Sequence, residues 1–330
     1  MAGGQERILR RRIRSVQSTQ KITRAMELIA ASRIVKAQAR VQAAQPYADG
    51  ITEVVRDLQA AGAGANNPLL VPREETRRVG EVVLAADRGL CGAYNTTVIR
   101  AAESDLRAQR TRGRETAIVT SGRKPEGYFR FRNYAIEAAL GGFTQNPSYE
   151  DARAVAAAVI GPFQRGELDL VQLTYTRFIS AGRQVVVTEP LLPLPRLEGE
   201  AEAPAEHAEP RAGYEFEPEP EAILDALLPR YAESRIYAAL LNAAASEHAA
   251  RQRAMKAATD NADDLITSLS RVMNRARQDA ITTEIMEIVG GAEALKAGKG
   301  SDEDILPDHL NAQHIFDQHL DRTDHARSAH

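Results

Sequence analysis

The sequence predicts an α/β protein in which a long antiparallel two-helix coiled coil, formed by the N- and C-terminal helices, carries a small Rossmann-like α/β domain. Three observations predict it. From about Tyr231 to Leu295 no proline occurs, and no glycine before Gly290-Gly291, while Ala, Arg, Lys, Glu, Gln and Met dominate; such a run has nothing to break a helix and much to favour one. The stretch from about Gln5 to Leu58 is similar, with Pro46 its one proline and Gly50 its one glycine. Between the two, the hydrophobic period changes to an alternation of short apolar runs and helical segments.

The C-terminal run sets the architecture. Roughly 60 residues at about 1.5 Å each give a rod on the order of 90 Å, far beyond the usual helix of about 10–14 residues. Charges in nearly every turn exclude a membrane span. Ala262, Ile266, Leu269, Met273, Ala276 and Ala280 step by alternate fours and threes, the seam of a heptad repeat. Any long two- or three-helix bundle would share that spacing, but the small seam residues favour a slim, closely approached pair.

The N-terminal helix supplies the natural antiparallel partner. Ile8-Leu9, Ile13 and Val16 alternate with arginines at helical spacing, and the apolar line continues through Ile22, Met26, Ile29, Ile34 and Val41. Pro46 is expected to kink or end this helix. One chain then folds both ends into one shaft, with the middle as a side domain.

Charge is unevenly spread. Residues 1–40 carry ten Lys/Arg against two acids, a net of +8, whereas residues 196–221 carry nine Glu against two Arg, a net of −7, within a chain of net −3. The basic helix reads as a solvated face, a nucleic-acid arm or the contact surface for an acidic protein. The absence of interleaved aromatics and of any docking motif argues against the second reading. The one cysteine, Cys91, excludes an internal disulfide and suits a reducing compartment. No apolar run reaches the length of a span, and no signal-peptide core is present. An organellar transit peptide fits poorly, because the helical motif begins almost at once.

In the middle, after a turn region around Gly62–Pro68, strands are expected at Val79–Ala86, Thr116–Thr120, Ala135–Leu140, Asp169–Phe178 and Gln184–Thr188. The last two form a hairpin turning at Ala181-Gly182. Helices are expected at Tyr94–Gln109 and Tyr149–Arg165, and a helix or turn around Arg123–Asn133. Asp87, Arg88, Gly89, Leu90, Cys91 and Gly92 occupy the corner where α/β folds bind phosphates. The run is neither G-x-G-x-x-G nor a P-loop, so a tight turn with glycines at φ > 0 is the better reading. Cys91 is expected to pack beneath it, since no nearby histidine would activate it.

Residues 193–220 are rich in Glu, Pro and Ala and read as a disordered or extended acidic surface insertion. The tail, 296–330, is acidic and contains His309, His314, His319, His325 and His330. Five-residue steps do not keep successive histidines on one helical face, so no metal site is expected. The expected segments are therefore 1–60 (helix), 61–192 (α/β foot), 193–220 (insertion), 221–295 (helix) and 296–330 (tail).

Three motifs carry a family resemblance: Gln17–Arg33, Asp87-Arg88-Gly89-Leu90-Cys91-Gly92 with Asn95, and Ile281-Thr282-x-Glu284-x-x-Glu287-x-x-x-Gly291-Ala292. All three resemble the gamma subunit of F-type ATP synthases, over roughly residues 1–190 and 221–295. The resemblance implies a non-catalytic, cofactor-free rotor shaft, one copy per complex. It would couple proton flow to ATP synthesis or hydrolysis on beta. Its implied partners are a hexameric ring of alpha and beta subunits, the epsilon subunit and the c-ring of the membrane sector. Its implied place is the cytoplasmic face of a bacterial plasma membrane, without membrane insertion. Residue by residue, Arg277 and Gln278 would bond a loop of beta. Met26, with Lys21, Arg24 and Arg33, would meet the mobile lever of beta, and Thr282, Glu284 and Glu287 would lie on the coupling helix. Ile281, Ile285 and Ile288 would slide against an apolar collar, and Asp87, Arg88, Gly89, Gly92 and Asn95 would shape the foot-domain turn. In the family's chloroplast members the foot insertion carries a regulatory cysteine pair; here it has none. Read without the resemblance, the chain leans toward a structural or force-transmitting subunit; next comes a stand-alone coiled-coil scaffold or nucleic-acid-binding protein, and third an enzyme using the Asp87–Gly92 corner.

Overall fold

The computed structural model describes residues 2–60, 62–195 and 219–298; most of the expected insertion and nearly all of the expected tail, with its five histidines, lie outside the described residues. The chain runs α1 (Ala2–Ala60), β1 (Arg78–Leu84), α2 (Tyr94–Thr111), β2 (Glu115–Ser121) and α3 (Arg123–Phe131). It continues through β3 (Ile136–Leu140), α4 (Tyr149–Gln164), β4 (Leu170–Phe178), β5 (Gln184–Leu192) and α5 (Pro220–Gly298). Pro46 does not end α1, and α5 likewise runs through Pro229. Each helix forgoes one backbone donor there.

The five strands form one sheet in the order β3-β2-β1-β4-β5, parallel except for the antiparallel β5. β1 lies at the centre, and from Val79 onward every residue of it is buried, as a strand covered on both faces requires. Val83 packs with Val98, Ile99, Ala102 and Leu106 of α2 and Phe129 of α3. On the opposite face Val82 and Leu84 join α4 (Val155, Val159, Phe163), the end of α1 (Ile51, Val55, Leu58) and the start of α5 (Leu224, Leu228, Ile236). The base of the shaft thus takes the place of helices that would otherwise close this face. α4 starts at a capping box in which Ser148 and Asp151 satisfy each other's backbone N–H. The β4–β5 hairpin turns at Ser180–Arg183, where the Ser180 and Arg183 backbones bond reciprocally.

The chain divides into two units. In the larger, residues 14–267, α1 and α5 run antiparallel: Gln20 meets Asp263, Thr23 Oγ1 meets Thr259 Oγ1 at 2.8 Å, and Arg40 reaches Tyr237 at 3.5 Å, so one number rises as the other falls. The buried line on α1 is Thr23, Ala30, Ile34 and Ala37, at heptad spacing. This corrects the apolar line expected from the sequence, because Ile22 and Ile29 are exposed. Small residues let the helices approach where isoleucine would hold them apart.

In the smaller unit, whose described residues are 2–13 and 268–298, Leu269 is buried and Met273, Ala276 and Ala280 are half-buried, as the seam spacing predicts. On the N-terminal segment, Leu9 is half-buried and Ile13 buried. From Ile281 to Lys296 every residue is exposed.

Candidate functional site

The β1–α2 corner is built around a carboxylate. Asp87 accepts from the backbone N–H of Gly142 (2.9 Å to each oxygen), Thr144 (3.2 Å) and Arg123 (3.2 Å), and from Thr144 Oγ1 (3.0 Å). Arg123 is the first residue of α3, so the carboxylate occupies a helix N-terminus, the place where an α/β fold would seat a phosphate. Partial burial opposes its charge, but the donors of Gly142, Thr144 and Arg123 prevail and hold its pKa below the ordinary carboxylate range. Glycine makes room for this: a Cβ on Gly141 would stand 2.8 Å from Asp87 Oδ1, and one on Gly122, at φ +108°, 2.4 Å from the Ala85 carbonyl oxygen.

The rest of the turn is tied down from within. Asn95 Oδ1 accepts from Ala86 N at 2.9 Å, and its Nδ2 donates to Cys91 Sγ at 3.2 Å and to the Arg88 carbonyl at 3.4 Å. Cys91 is buried, and burial pushes its thiol pKa up; it packs beneath the turn as expected. Gly92 adopts φ +58°, whereas the other left-handed residue of the turn is Leu90 at φ 62° rather than Gly89.

This corner is one side of a joint to the shaft. The Gly89 carbonyl accepts from Arg251 Nη2 at 3.2 Å, and Arg251 pairs with Glu247 at 2.7 Å, both side chains buried. Glu247 also accepts from Gln145 Nε2 at 3.2 Å, and the Gln145 carbonyl meets His248 Nε2 at 3.1 Å. Burial raises the Glu247 pKa despite Arg251, and burial drives His248 down to about 4, so the imidazole is neutral at pH 7. From α1, Arg33 donates to Gln145 and Arg40 to Asn146 and the Pro147 carbonyl. A second side of α5 faces β4 and its hairpin: Asn242 Oδ1 accepts from Phe178 N at 3.2 Å, Ser246 Oγ donates to the Thr176 carbonyl at 3.1 Å, and Arg253 donates to the Ala181 carbonyl at 2.6 Å. α2 joins through Tyr94 Oη, which donates to the Ala243 carbonyl at 3.1 Å. The residues 242–253 were missed in the sequence, although Glu247 and Arg251, an i, i+4 pair inside a run of alanines, gave a signal.

The remaining expected site residues fall in two groups. Lys21, Arg24, Met26 and Arg33 lie on α1 in the larger unit. Lys21 and Arg24 are exposed, Arg24 pairs with Glu27 at 3.1 Å, Met26 is half-buried, and Arg33 is engaged by the foot loop. Arg277, Gln278, Ile281, Thr282, Glu284, Ile285, Glu287 and Ile288 lie on the exposed face or end of α5 in the smaller unit. Thr282 Oγ1 donates back to the Gln278 carbonyl at 3.0 Å, so its proton is used within its own helix and its exposed oxygen is left to accept. Among the described residues no group of three His, Cys, Asp or Glu could hold a metal, and no helix is long and apolar enough to cross a membrane.

These features define a class: a helical shaft bonded through two of its sides to a doubly wound foot whose phosphate corner is filled by its own aspartate. The family model described as ATP synthase matches residues 5–295. The ATP synthase gamma chain of Frankia casuarinae is 52% identical over 89% of this chain and 99% of its own, and that of Mycolicibacterium smegmatis 47% identical over 89% and 98%. Among solved structures, a chain of the Euglena gracilis mitochondrial ATP synthase aligns with TM-score 0.63 at 18% identity, covering 92% of this chain and 99% of that one. A chain of the Tetrahymena thermophila enzyme, from a structure of its central stalk and c-ring, aligns with TM-score 0.52 at 24% identity over 72% and 99%. The chain belongs to the ATP synthase gamma chain family. The scaffold and nucleic-acid alternatives find no support in these matches.

Proposed function

We propose that the chain is the central rotor shaft of an F-type ATP synthase, without a catalytic site of its own. It turns inside a ring of alternating alpha and beta subunits and passes proton-driven rotation to the nucleotide sites on beta. The observation that carries this reading is the joint. Torque entering at a foot reaches a shaft only if the bonds between them resist twisting, and bonds along a single stripe act as a hinge. Here Asn242, Ser246 and Arg253 engage the hairpin side, while Glu247, His248 and Arg251 engage the turn and the loop that Arg33 and Arg40 also hold. Contacts on two sides of α5, shared with α1, form a collar.

Coupling then follows from differential contact. A rotor whose faces differ favours a different conformation of each beta subunit in turn, which is allostery by unequal binding to two states. Arg277 and Gln278 would bond a loop of beta, with Thr282, Glu284 and Glu287 continuing that coupling helix. Lys21 and Arg24, beside Met26, would face the acidic lever of beta, and Ile281, Ile285 and Ile288 would form the bearing. Arg33 belongs in this reading to the collar. The foot would meet the epsilon subunit and the c-ring at the cytoplasmic face of a bacterial plasma membrane, as one copy per complex. In this reading the chain divides into 1–60, 61–192, 193–220, 221–295 and 296–330, although α5 itself runs Pro220–Gly298.

The test is purification of the tagged chain from its native membrane. Alpha, beta and epsilon should co-purify in stoichiometric amounts, with ATPase activity that Arg277→Ala or Gln278→Ala weakens. A chain that purifies alone, or with activity untouched by both substitutions, refutes the assignment.

A further inference from the structure

The strand order fixes where a doubly wound domain opens a crevice. The crossover from β1 to β2 carries α2 on one face of the sheet. The crossover from β3 to β4 carries α4 on the other face and returns the chain to the far side of β1. The order therefore reverses between β1 and β4, and ligands of such folds sit outside the carboxyl ends of the strands at that point. Asp87 fills the N-terminus of α3 nearby, but α2 starts without an acid of its own. Its N-cap is Ala93, which offers no side-chain acceptor, and Asn95 spends its carbonyl on Ala86 N. A cavity of about 490 Å³ opens at this end of α2, between the helix, the β4–β5 hairpin and α5. That volume is within the range of about 300–1,000 Å³ for small-molecule sites. Small side chains leave the room: Gly92 and Ala93 line it from the turn, Ala250 and Ala254 from α5, and a Cβ on Gly92 would come within 3.6 Å of the Ala254 Cβ.

Three elements bring polar groups to this cavity. The start of α2 brings the positive end of an 18-residue helix. β4 brings Thr176, only 4% exposed, whose Oγ1 has no hydrogen-bond partner among the described residues. Alternation along β4 puts Thr176 on the face of Thr174, the side that meets Glu81 below α2, and the antiparallel register sets it opposite Val186, which also lines the cavity. A buried hydroxyl without a partner is costly, and natural proteins keep few of them. α5 brings Arg253, exposed at the mouth. Its bonds to the Ala181 carbonyl and to Gln184 Oε1 use two of the five N–H donors of a guanidinium, and among the described residues it pairs with no carboxylate. Among the described residues no Asp or Glu lines the cavity, so nothing there offsets this charge. The remaining wall, at Tyr94 and Val186, is apolar.

We propose that this crevice binds a phosphate group, free or carried on a small organic body as a monoester. The start of α2 and Arg253 balance its charge, Thr176 Oγ1 donates to one of its oxygens, and the wall at Tyr94 and Val186 packs against whatever the phosphate carries. Donors from three separate elements suit a tetrahedral anion better than the two coplanar oxygens of a carboxylate. Because α2 and β4 belong to the foot and Arg253 to the shaft helix, a ligand here adds a further tie across the joint. The site stands independently of the rotor reading.

The experiment is calorimetric titration of the purified full chain with inorganic phosphate, with AMP and with adenosine. Phosphate and AMP should each saturate a single site, and adenosine should not bind. AMP bound more tightly than phosphate identifies a monoester site, and equal affinity identifies a site for the free ion. Thr176→Val should weaken binding about tenfold while leaving the melting temperature of the unliganded chain unchanged or raised, since its hydroxyl has no protein partner to lose. A residue that serves only the fold would not separate the two readouts in this way. Arg253→Gln should weaken binding about tenfold as well, and Ala93→Asp, which puts a carboxylate at the start of α2, should abolish it. Melting curves show that each variant folds. Adenosine binding as tightly as AMP, no binding of phosphate or AMP, or unchanged affinity in folded Thr176→Val and Ala93→Asp would overturn the proposal, and none of these results would touch the rotor assignment.

Discussion

Asp87→Ala is the sharpest probe of the joint. The substitution removes the acceptor for three backbone N–H groups and one hydroxyl. Bonds to a charged acceptor contribute about 1.5–3 kcal/mol each when buried. Asp87 is only half-buried, so water recovers part of each bond, and about 1 kcal/mol per backbone donor is the fitting figure, the Thr144 hydroxyl being free to turn to water. The foot should lose about 3 kcal/mol. Hydrogen exchange of the amides of Arg123, Gly142 and Thr144 reads this directly, and the change corresponds to exchange faster by on the order of a hundredfold. The sign with pH follows from the lowered pKa. The stabilisation is complete above the unfolded value near about 3.9 and is lost as pH falls through the folded value below it. Asp87→Asn should therefore lack that acid limb. Protection in Asp87→Ala within about twofold of the parent would show that the carboxylate does not organise the corner.

Three further outcomes are expected. Burial lifts the Glu81 pKa to about 8, against the pull of Thr174 and with help from Asp105. Between about pH 4.3 and that value the folded state keeps a proton that the unfolded state releases, so stability falls as pH rises. Glu81→Gln should flatten this slope and exceed the parent by on the order of 3 kcal/mol near pH 7; urea midpoints with equal pH slopes would rule the assignment out. Arg251→Leu strands the buried Glu247 and should cost about 3–5 kcal/mol, whereas the double replacement with Glu247→Leu should cost clearly less. A double-mutant cycle with no coupling contradicts the pair. Finally, Thr23→Val should cost about 1 kcal/mol by leaving Thr259 without its seam partner, and Thr23→Val with Thr259→Val should be near neutral. Thermal melts that sum additively would deny the bond.

The strands and helices were legible because each carries a local signal. The buried run at Val79–Ala86, the helical run from Tyr94 and the Ala181-Gly182 turn all fall within a few residues of the observed elements. The seam at Ala262–Ala280 was legible for the same reason. The joint was not. In an alanine-rich helix every side looks alike, so periodicity could not tell that Ser246, Glu247, His248 and Arg251 turn inward. The N-terminal seam was misread at Ile22 and Ile29 because isoleucine reads as buried in any pattern, while the residues actually buried beside them are Thr23 and Ala30. Close helix approach selects small side chains and displaces large ones outward. Nor could sequence show that Asp87 fills the phosphate corner, since its donors at Arg123, Gly142 and Thr144 come from two other loops.

The outward displacement bears on function. A large apolar side chain left on a helix surface costs little if single, but a row at helical spacing is an unfilled half of an interface. Two such rows exist. On α1, Ile22 and Ile29 stand seven residues apart with Leu28 and Val35 beside them, all exposed. On α5, Ile281, Ile285 and Ile288 step by four and three, all exposed, beginning where the half-buried seam ends at Ala280. Continued past Ala280, the seam's steps fall on Thr283, Glu287 and Gly290, so the isoleucines form a separate row, about 100° round the helix from it. A helix that turns such a row outward, away from its own seam, is shaped for a surface supplied by another chain. The encircling ring proposed for this rotor supplies one.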